Sequence, residues 1–272
     1  MKVLNIVLAL NTLSCLFFGI LFVSQPDLVG TFLGLSQDLG FLVPASGTVL
    51  LLFAGHLMWA ISRKEKIKGE IYYFVFGDVL WVVFSGLIVI LGVVSQTTPV
   101  LAIAGVATLV GVFAQLQLFA GSRIASPNRL TVEGDLSVDL NQAWPALADF
   151  SNISRYHPLV KESTLESEVE KGIGAKRRCV FTDETTVLET ITKWDEGAGY
   201  RVTIEGMRMP LRDFENEISL INRDGEKKIK LTATFYGKGF FNEMLLGFLM
   251  RPLMKRQLNR VLVGFQQGIK SA

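Results

Sequence analysis

Pro252-Leu253-Met254-Lys255-Arg256-Gln257-Leu258-Asn259-Arg260-Val261-Leu262-Val263-Gly264-Phe265-Gln266-Gln267-Gly268-Ile269 is the stretch that decides the fold. Met254, Leu258, Val261, Leu262, Phe265 and Ile269 recur at three- and four-residue steps. At about 100° per residue they make one narrow apolar stripe. Arg256, Asn259, Arg260, Gln267 and Lys270 fall on the opposite side. Pro252 suits a first helical turn, where its missing N–H is no loss. The chain therefore closes on an amphipathic helix whose stripe needs a partner. A curved antiparallel sheet that grips such a helix leaves a cavity between the two, and function is sought there.

Working back, strands are expected at Val160–Val169, Ala175–Thr182, Thr186–Trp194, Tyr200–Gly206, Leu211–Ile221 and Lys228–Tyr236. Lys171-Gly172, Asp183-Glu184, Glu196-Gly197 and Asp224-Gly225 supply the turns. Before them, Leu130, Val132, Gly134, Leu136 and Val138 alternate with polar residues as a half-buried strand does. Asn141 is placed to cap a short helix, Gln142–Phe150, and Ser151–Tyr156 makes a second short helix or turn. His157-Pro158 ends it, since the residue before proline avoids helical geometry. The order is strand, two small helices, six strands, long helix.

Composition separates this half from what precedes it. The 272 residues are half hydrophobic, and the mean hydropathy is positive. The apolar excess lies in Val3–Gly121, where charges are few. Four runs are long enough to cross a bilayer: Val3–Ser24, Leu42–Ser62, Ile71–Ser95 and Val100–Gly121. The first runs through Leu13-Ser14-Cys15 unbroken behind a single lysine and is read as a retained span. Lys2, Arg63, Lys64, Lys66 and Lys68 cluster at one side of the spans, with Arg123 and Arg129 after the last, while Gln25–Phe41 and Gln96–Pro99 carry no Lys or Arg. The positive-inside rule then predicts a multi-pass inner-membrane protein with both termini cytoplasmic.

Asn11, His56, Asp78 and Gln115 each lie seven to nine residues from a charged or polar marker at the basic side. At about 1.5 Å per residue they share one level, about 10–14 Å deep. A polar layer with Asp78 and His56 as its central pair is expected. It serves either as a proton or ligand site or as hydrogen-bonded glue between helices. Gly47, Gly55, Gly77, Gly86, Gly105 and Gly111 allow close helix packing.

The second half resembles a known superfamily. The resemblance is carried by Val138-Asp139-Leu140-Asn141-Gln142-Ala143-Trp144-Pro145-Ala146-Leu147-Ala148-Asp149-Phe150, Tyr156-His157-Pro158, Gly174-Ala175-Lys176-Arg177-Arg178, Glu189-Thr190-Ile191 and Trp194-Asp195. These are similar to the START-like (SRPBCC, Bet v 1-like) superfamily, within it to the polyketide cyclase/dehydrase and lipid-transport branch. The resemblance covers Leu130 to Ser271. It implies a helix-grip fold, a seven-stranded antiparallel sheet around the final helix with an apolar cavity. It also implies an acidic side chain at Glu189 projecting into that cavity. The first half resembles no family that can be named. The expected whole is thus a membrane four-helix bundle (1–121), a linker (122–129) and an α+β helix-grip domain (130–272).

Strand alternation yields a candidate lining. Arg177, Cys179 and Phe181 share a face, as do Val187 and Glu189, Tyr200 and Val202, and Phe214 and Asn216; Leu258 and Leu262 oppose them from the helix. Arg177 and Glu189 either orient a ligand's polar head or form a plain cross-strand ion pair. Tyr156-His157-Pro158 either gates the cavity or simply turns the chain. The apolar run Phe240–Leu249 is a lid, a membrane-touching segment or the first turns of the long helix.

Several chemistries lack their residues. The two histidines fall in different halves, as do Cys15 and Cys179, so neither a metal site nor a disulfide is expected. No phosphate loop, nucleophile elbow or cofactor motif occurs. A net charge of +2 without a basic, aromatic-studded face argues against nucleic acid. The expected partners are the lipid bilayer and an apolar small molecule of the lipid or isoprenoid quinone class, bound for transfer. The alternatives are a cyclase- or dehydratase-like enzyme using Glu189 or His157 as acid/base, and a ligand sensor coupled to the bundle.

Overall fold

A computed structural model describes residues 2–271 and divides the chain into two compact units between Ala125 and Ser126. Among the described residues, the first unit has α1 (Lys2–Ser24), α2 (Pro26–Leu33), α3 (Leu42–Ser62), α4 (Lys68–Ile90) and α5 (Thr97–Ser122). Four of its helices are long and apolar enough to cross a membrane. Their outer faces carry Leu13, Leu52 and Leu101, each about two-thirds exposed or more, a surface that water does not favour.

Two features depart from the sequence reading. The expected loop Gln25–Phe41 contains α2, which starts on Pro26 and stops at Gly34 in the left-handed region (φ 68°). The third span was expected to reach Ser95, but α4 ends at Ile90 because Gly92 turns the chain at φ 71°.

Within the unit α1 packs on α3, α4 on α5 and α1 on α5. The α1–α3 crossing is close because Gly19 and Gly47 face each other's backbone: a Cβ on Gly47 would lie 2.9 Å from the Gly19 carbonyl. Of the other expected packing glycines, Gly77 lies under the Phe53 ring, whereas Gly55, Gly86 and Gly105 face open space. A core of Leu4, Leu8, Leu57, Ala60, Ile71 and Phe74 fills the end near the α3–α4 loop. There Lys66 donates to the carbonyls of Ala60, Ile61 and Arg63 at 2.7–2.9 Å, capping α3.

The second unit runs β1 (Asn128–Asp135), α6 (Leu140–Ala148), a 3-10 turn Phe150–Arg155, then β2 (Val160–Leu165), β3 (Lys176–Phe181), β4 (Thr186–Asp195), β5 (Gly199–Glu205), β6 (Leu211–Arg223) and β7 (Glu226–Gly237). It closes with α7 (Gly239–Met244), a π-turn Leu245–Leu249 and α8 (Arg251–Ser271). The strands form one antiparallel sheet in the order β1-β7-β6-β5-β4-β3-β2. This is the helix-grip arrangement. Asp139, not Asn141, caps α6: its N–H donates to Gln142 Oε1 (3.2 Å) in a capping box. The register slips at Val160/Glu162, Ile191/Lys193 and Arg212/Glu215, and such bulges bend a sheet.

The stripe on α8 is the helix's inner face. Leu262, Phe265 and Ile269 are buried and Met254, Leu258 and Val261 half-buried, while Arg256, Asn259, Arg260, Gln267 and Lys270 are exposed. Each fully buried large side chain contributes about 1.5–3 kcal/mol. The run Phe240–Leu249 is not part of α8. It is a separate short helix ended by the π-turn and pinned by Glu243, which accepts from Asn128 Nδ2 (2.6 Å) and the Gly237 N–H (2.7 Å).

Candidate functional site

The interior between sheet and α8 is built from β3, β4, β5, β6 and β7. Arg177 on β3 pairs directly across from Glu189 on β4, and the side chains meet as the register requires. Arg177 Nε donates to Glu189 Oε2 at 2.7 Å, Nη2 reaches the same oxygen, and Nη1 donates to the Phe150 carbonyl at 2.6 Å. The guanidinium also lies 4.0 Å from the Phe150 ring centre. Both charged residues are buried. Burial disfavours the guanidinium charge, but Glu189, together with Tyr200 and Cys179, outweighs it and holds the Arg177 pKa above its usual range.

The neighbours are tuned by burial too. The Cys179 thiol is pushed up to about 11 and the Tyr200 phenol is raised, both chiefly by burial. His157 is pushed down to about 4, first by burial and also by Arg177, against an opposing pull from Glu189. Its ring stands edge-on to Phe181 (5.8 Å) and Phe265 (6.4 Å). Nδ1 accepts from the Leu159 N–H at 3.3 Å, so the ring is neutral at pH 7.

The hollow between these groups is small, about 40 Å³. A water needs roughly 10–15 Å³ of such space, so the hollow has room for a few waters and not for a lipid. The roomy apolar cavity expected from the fold is closed down, because Tyr200, Val202, Ile218, Leu231, Phe265 and the ion pair occupy it.

Arg177, Glu189, Tyr200, Val202, Asn216 and Leu258 line what remains. Cys179, Val187 and Leu262 do not; they are packed in the core. Phe181 and Phe214 are half-buried beside it, and Phe214 meets Phe235 (6.3 Å) toward α7. The slip at Arg212/Glu215, with Asp213 at φ 51°, interrupts the alternation that placed Phe214 with Asn216. The lining also includes Ile153, Thr232 and Val261, which strand alternation did not supply. Asn216 Oδ1 is buried and has no hydrogen-bond partner among the described residues. An orphaned buried acceptor costs about 1–3 kcal/mol and is satisfied by any donor entering the hollow.

Tyr156-His157-Pro158 is a packed turn. Tyr156 stacks on Phe265 (6.4 Å, 16°), and the turn sits in a notch of α8 at Gly264 and Gly268.

In the first unit the polar groups pair differently from the expected layer. His56 Nε2 lies 3.0 Å from Glu70 Oε1, Arg63 holds the other oxygen of Glu70, and Asp78 is bonded elsewhere. Asp78 accepts from Asn11 Nδ2 at 3.1 and 2.9 Å and from Gln117 Nε2 at 2.8 Å. Antiparallel helices joined by a short loop pair residues equidistant from it. His56 therefore lies beside Phe74 (4.9 Å), and Asp78 sits a turn deeper. Gln115 is exposed; Gln117, about 200° further round α5, takes the inward place.

Residues 128–262 match the family model described as polyketide cyclase / dehydrase and lipid transport. No curated protein matches the chain. Among solved structures, Ara h 8.0201 is 20% identical, with a TM-score of 0.44, covering 54% of this chain and 99% of that one. A solution structure from Thermobifida fusca is 20% identical, with a TM-score of 0.44 and coverage of 52% and 93%. The protein XoxI from Bacillus cereus is 15% identical, with a TM-score of 0.42 and coverage of 52% and 94%.

Proposed function

Because the carboxy-terminal half of the chain is a START-like domain, a hydrophobic-ligand-binding fold, we propose that the protein is a membrane-tethered binding or transfer module for a lipid or isoprenoid quinone. The observation that carries this reading is the orphaned Asn216 Oδ1 beside Arg177 and Glu189, in a hollow whose other walls are mostly apolar. An apolar pocket with a few convergent polar groups is the usual small-molecule arrangement. The ligand's body displaces side chains from the closed interior, and its polar end donates to Asn216. Entry requires α8 to stand off the sheet or the Tyr156–Pro158 turn to move.

Lipid extraction and native mass spectrometry of the full-length protein test this. An apolar molecule should be released from the wild type. Asn216→Leu should bind it about tenfold more weakly while gaining about 1 kcal/mol of stability, since the orphaned acceptor is gone. Recovery of no apolar molecule from the wild type would sink the reading. An acid/base role gains no support from the geometry: Glu189 is committed to Arg177, and His157 is a weak base packed between rings.

The tether is the four apolar helices, with the basic end of the bundle on the cytoplasmic side. A thiol introduced at Gln37 should react with an impermeant maleimide on intact cells, and one at Lys64 only after permeabilisation. The reverse pattern would invert the orientation.

A further inference from the structure

Two roomy crevices lie in the bundle. Near their shared loop α3 and α4 touch through His56–Glu70, Phe53–Phe74 (5.5 Å) and Phe53 over Gly77. Farther from the loop both helices line a crevice of about 510 Å³, with α1 and α5 as its floor. A second crevice of about 490 Å³ continues it toward α2. The two share Phe18, Leu42, Ser46, Trp81, Phe84 and Val106, so they form one elongated groove. Each volume falls in the range of about 300–1,000 Å³ typical of small-molecule sites.

The groove is mostly apolar along its length, with Ser46 and Ser85 on its walls, and carries a carboxyl at one end. That end is Asp78 with Asn11, buried at 3% and 1% exposure, and both line the crevice. A carboxylate offers about four acceptor positions. Three are taken: two on Oδ2, by Asn11 and Gln117, and one on Oδ1, by Asn11. Oδ1 therefore retains acceptor capacity where the walls are apolar. A buried carboxyl at this depth is costly, which favours any donor that reaches it.

We propose that this groove binds a single-chain membrane alcohol or phenol, its chain along α3 and α4 and its hydroxyl donating to Asp78 Oδ1. The site rests on the membrane-spanning reading of the bundle and is separate from the interior of the START-like domain. Three features select the head group. A hydroxyl needs one acceptor, which Asp78 supplies. An ammonium would be drawn to the Asp78 carboxyl by the same charge that repels an anion, but it brings three donors to one free position on Oδ1 and a larger desolvation cost. A carboxylate or phosphate head meets the Asp78 carboxyl in a low-dielectric setting and is repelled, which excludes fatty acids and phospholipids.

The test uses the full-length protein in lipid nanodiscs and hexadecan-1-ol carrying a mid-chain diazirine, compared with its methyl ether and with the corresponding carboxylic acid. Photo-adducts are mapped by mass spectrometry. The alcohol should label Val49, Leu50, Trp81 or Phe84 saturably, at least tenfold more efficiently than the ether or the acid. Asp78→Asn should lower that labelling about tenfold. Ser46→Trp, which fills the groove without touching Asp78, should abolish it. Equal labelling by alcohol and ether, saturable labelling by the acid, or labelling unchanged in both variants would overturn the proposal. So would cross-links between copies that show the groove filled by a second chain's helix. Adducts in residues 126–272 report the other site, so the two readings fail separately.

Discussion

Arg177→Met will cost the sheet-and-helix unit about 3–5 kcal/mol, because it strands Glu189 as an uncompensated charge in a closed interior. The substitution also removes the donation to the Phe150 carbonyl and the contact with the Phe150 ring. Replacing both partners, as Arg177→Met with Glu189→Leu, should recover most of the loss, since a buried pair exchanged for apolar groups of similar volume is often near neutral. Hydrogen exchange of β3 and β4 amides in the full-length protein reads both outcomes. A single-variant cost below about 1 kcal/mol would mean that the pair is solvated and the interior open. The double variant also separates the two roles foreseen for the pair. If it folds and still binds the apolar ligand, Arg177 and Glu189 are structural; if it folds and does not bind, they orient the ligand.

Gly264→Ala will destabilise the same unit by about 1–3 kcal/mol, although alanine is the better helix former by about 1 kcal/mol. A Cβ at Gly264 would lie 2.5 Å from the Tyr156 carbonyl oxygen and 2.7 Å from Pro158 Cδ. One turn on, a Cβ at Gly268 would run into the Tyr156 ring, which is held against Phe265. Backbone and a proline ring cannot yield as a long side chain does, so the notch is specific for glycine. Thermal unfolding of full-length wild type and variant, followed by tryptophan emission, decides the sign. An unchanged or raised midpoint would show that the Tyr156–Pro158 turn is not seated on α8.

That notch illustrates where sequence reading stops. Gly264 and Gly268 interrupt an otherwise periodic stripe and signal nothing about the turn that fills them, which lies about a hundred residues earlier in the chain. Asp78 is legible as a costly carboxyl within an apolar segment, but residue counting sets Gln115 at its level where Gln117 bonds to it, and pairs with it the His56 that meets Glu70. Depth along a helix is readable from residue count. Rotation about its axis is set by the neighbours it packs against.

The sequence by itself determined the element order, the gripping helix and its inner face, the strand alternation that sets Arg177 opposite Glu189, and four helices apolar enough for a bilayer. These follow from repeats of 3.6 and 2 residues and from local turn chemistry, which a short window contains. Only the tertiary structure decided that the helix-grip interior closes to about 40 Å³ while the bundle opens a groove beside Asp78. Volume depends on how far packed elements stand apart, a sum over side chains distant in sequence, and no local pattern encodes that distance.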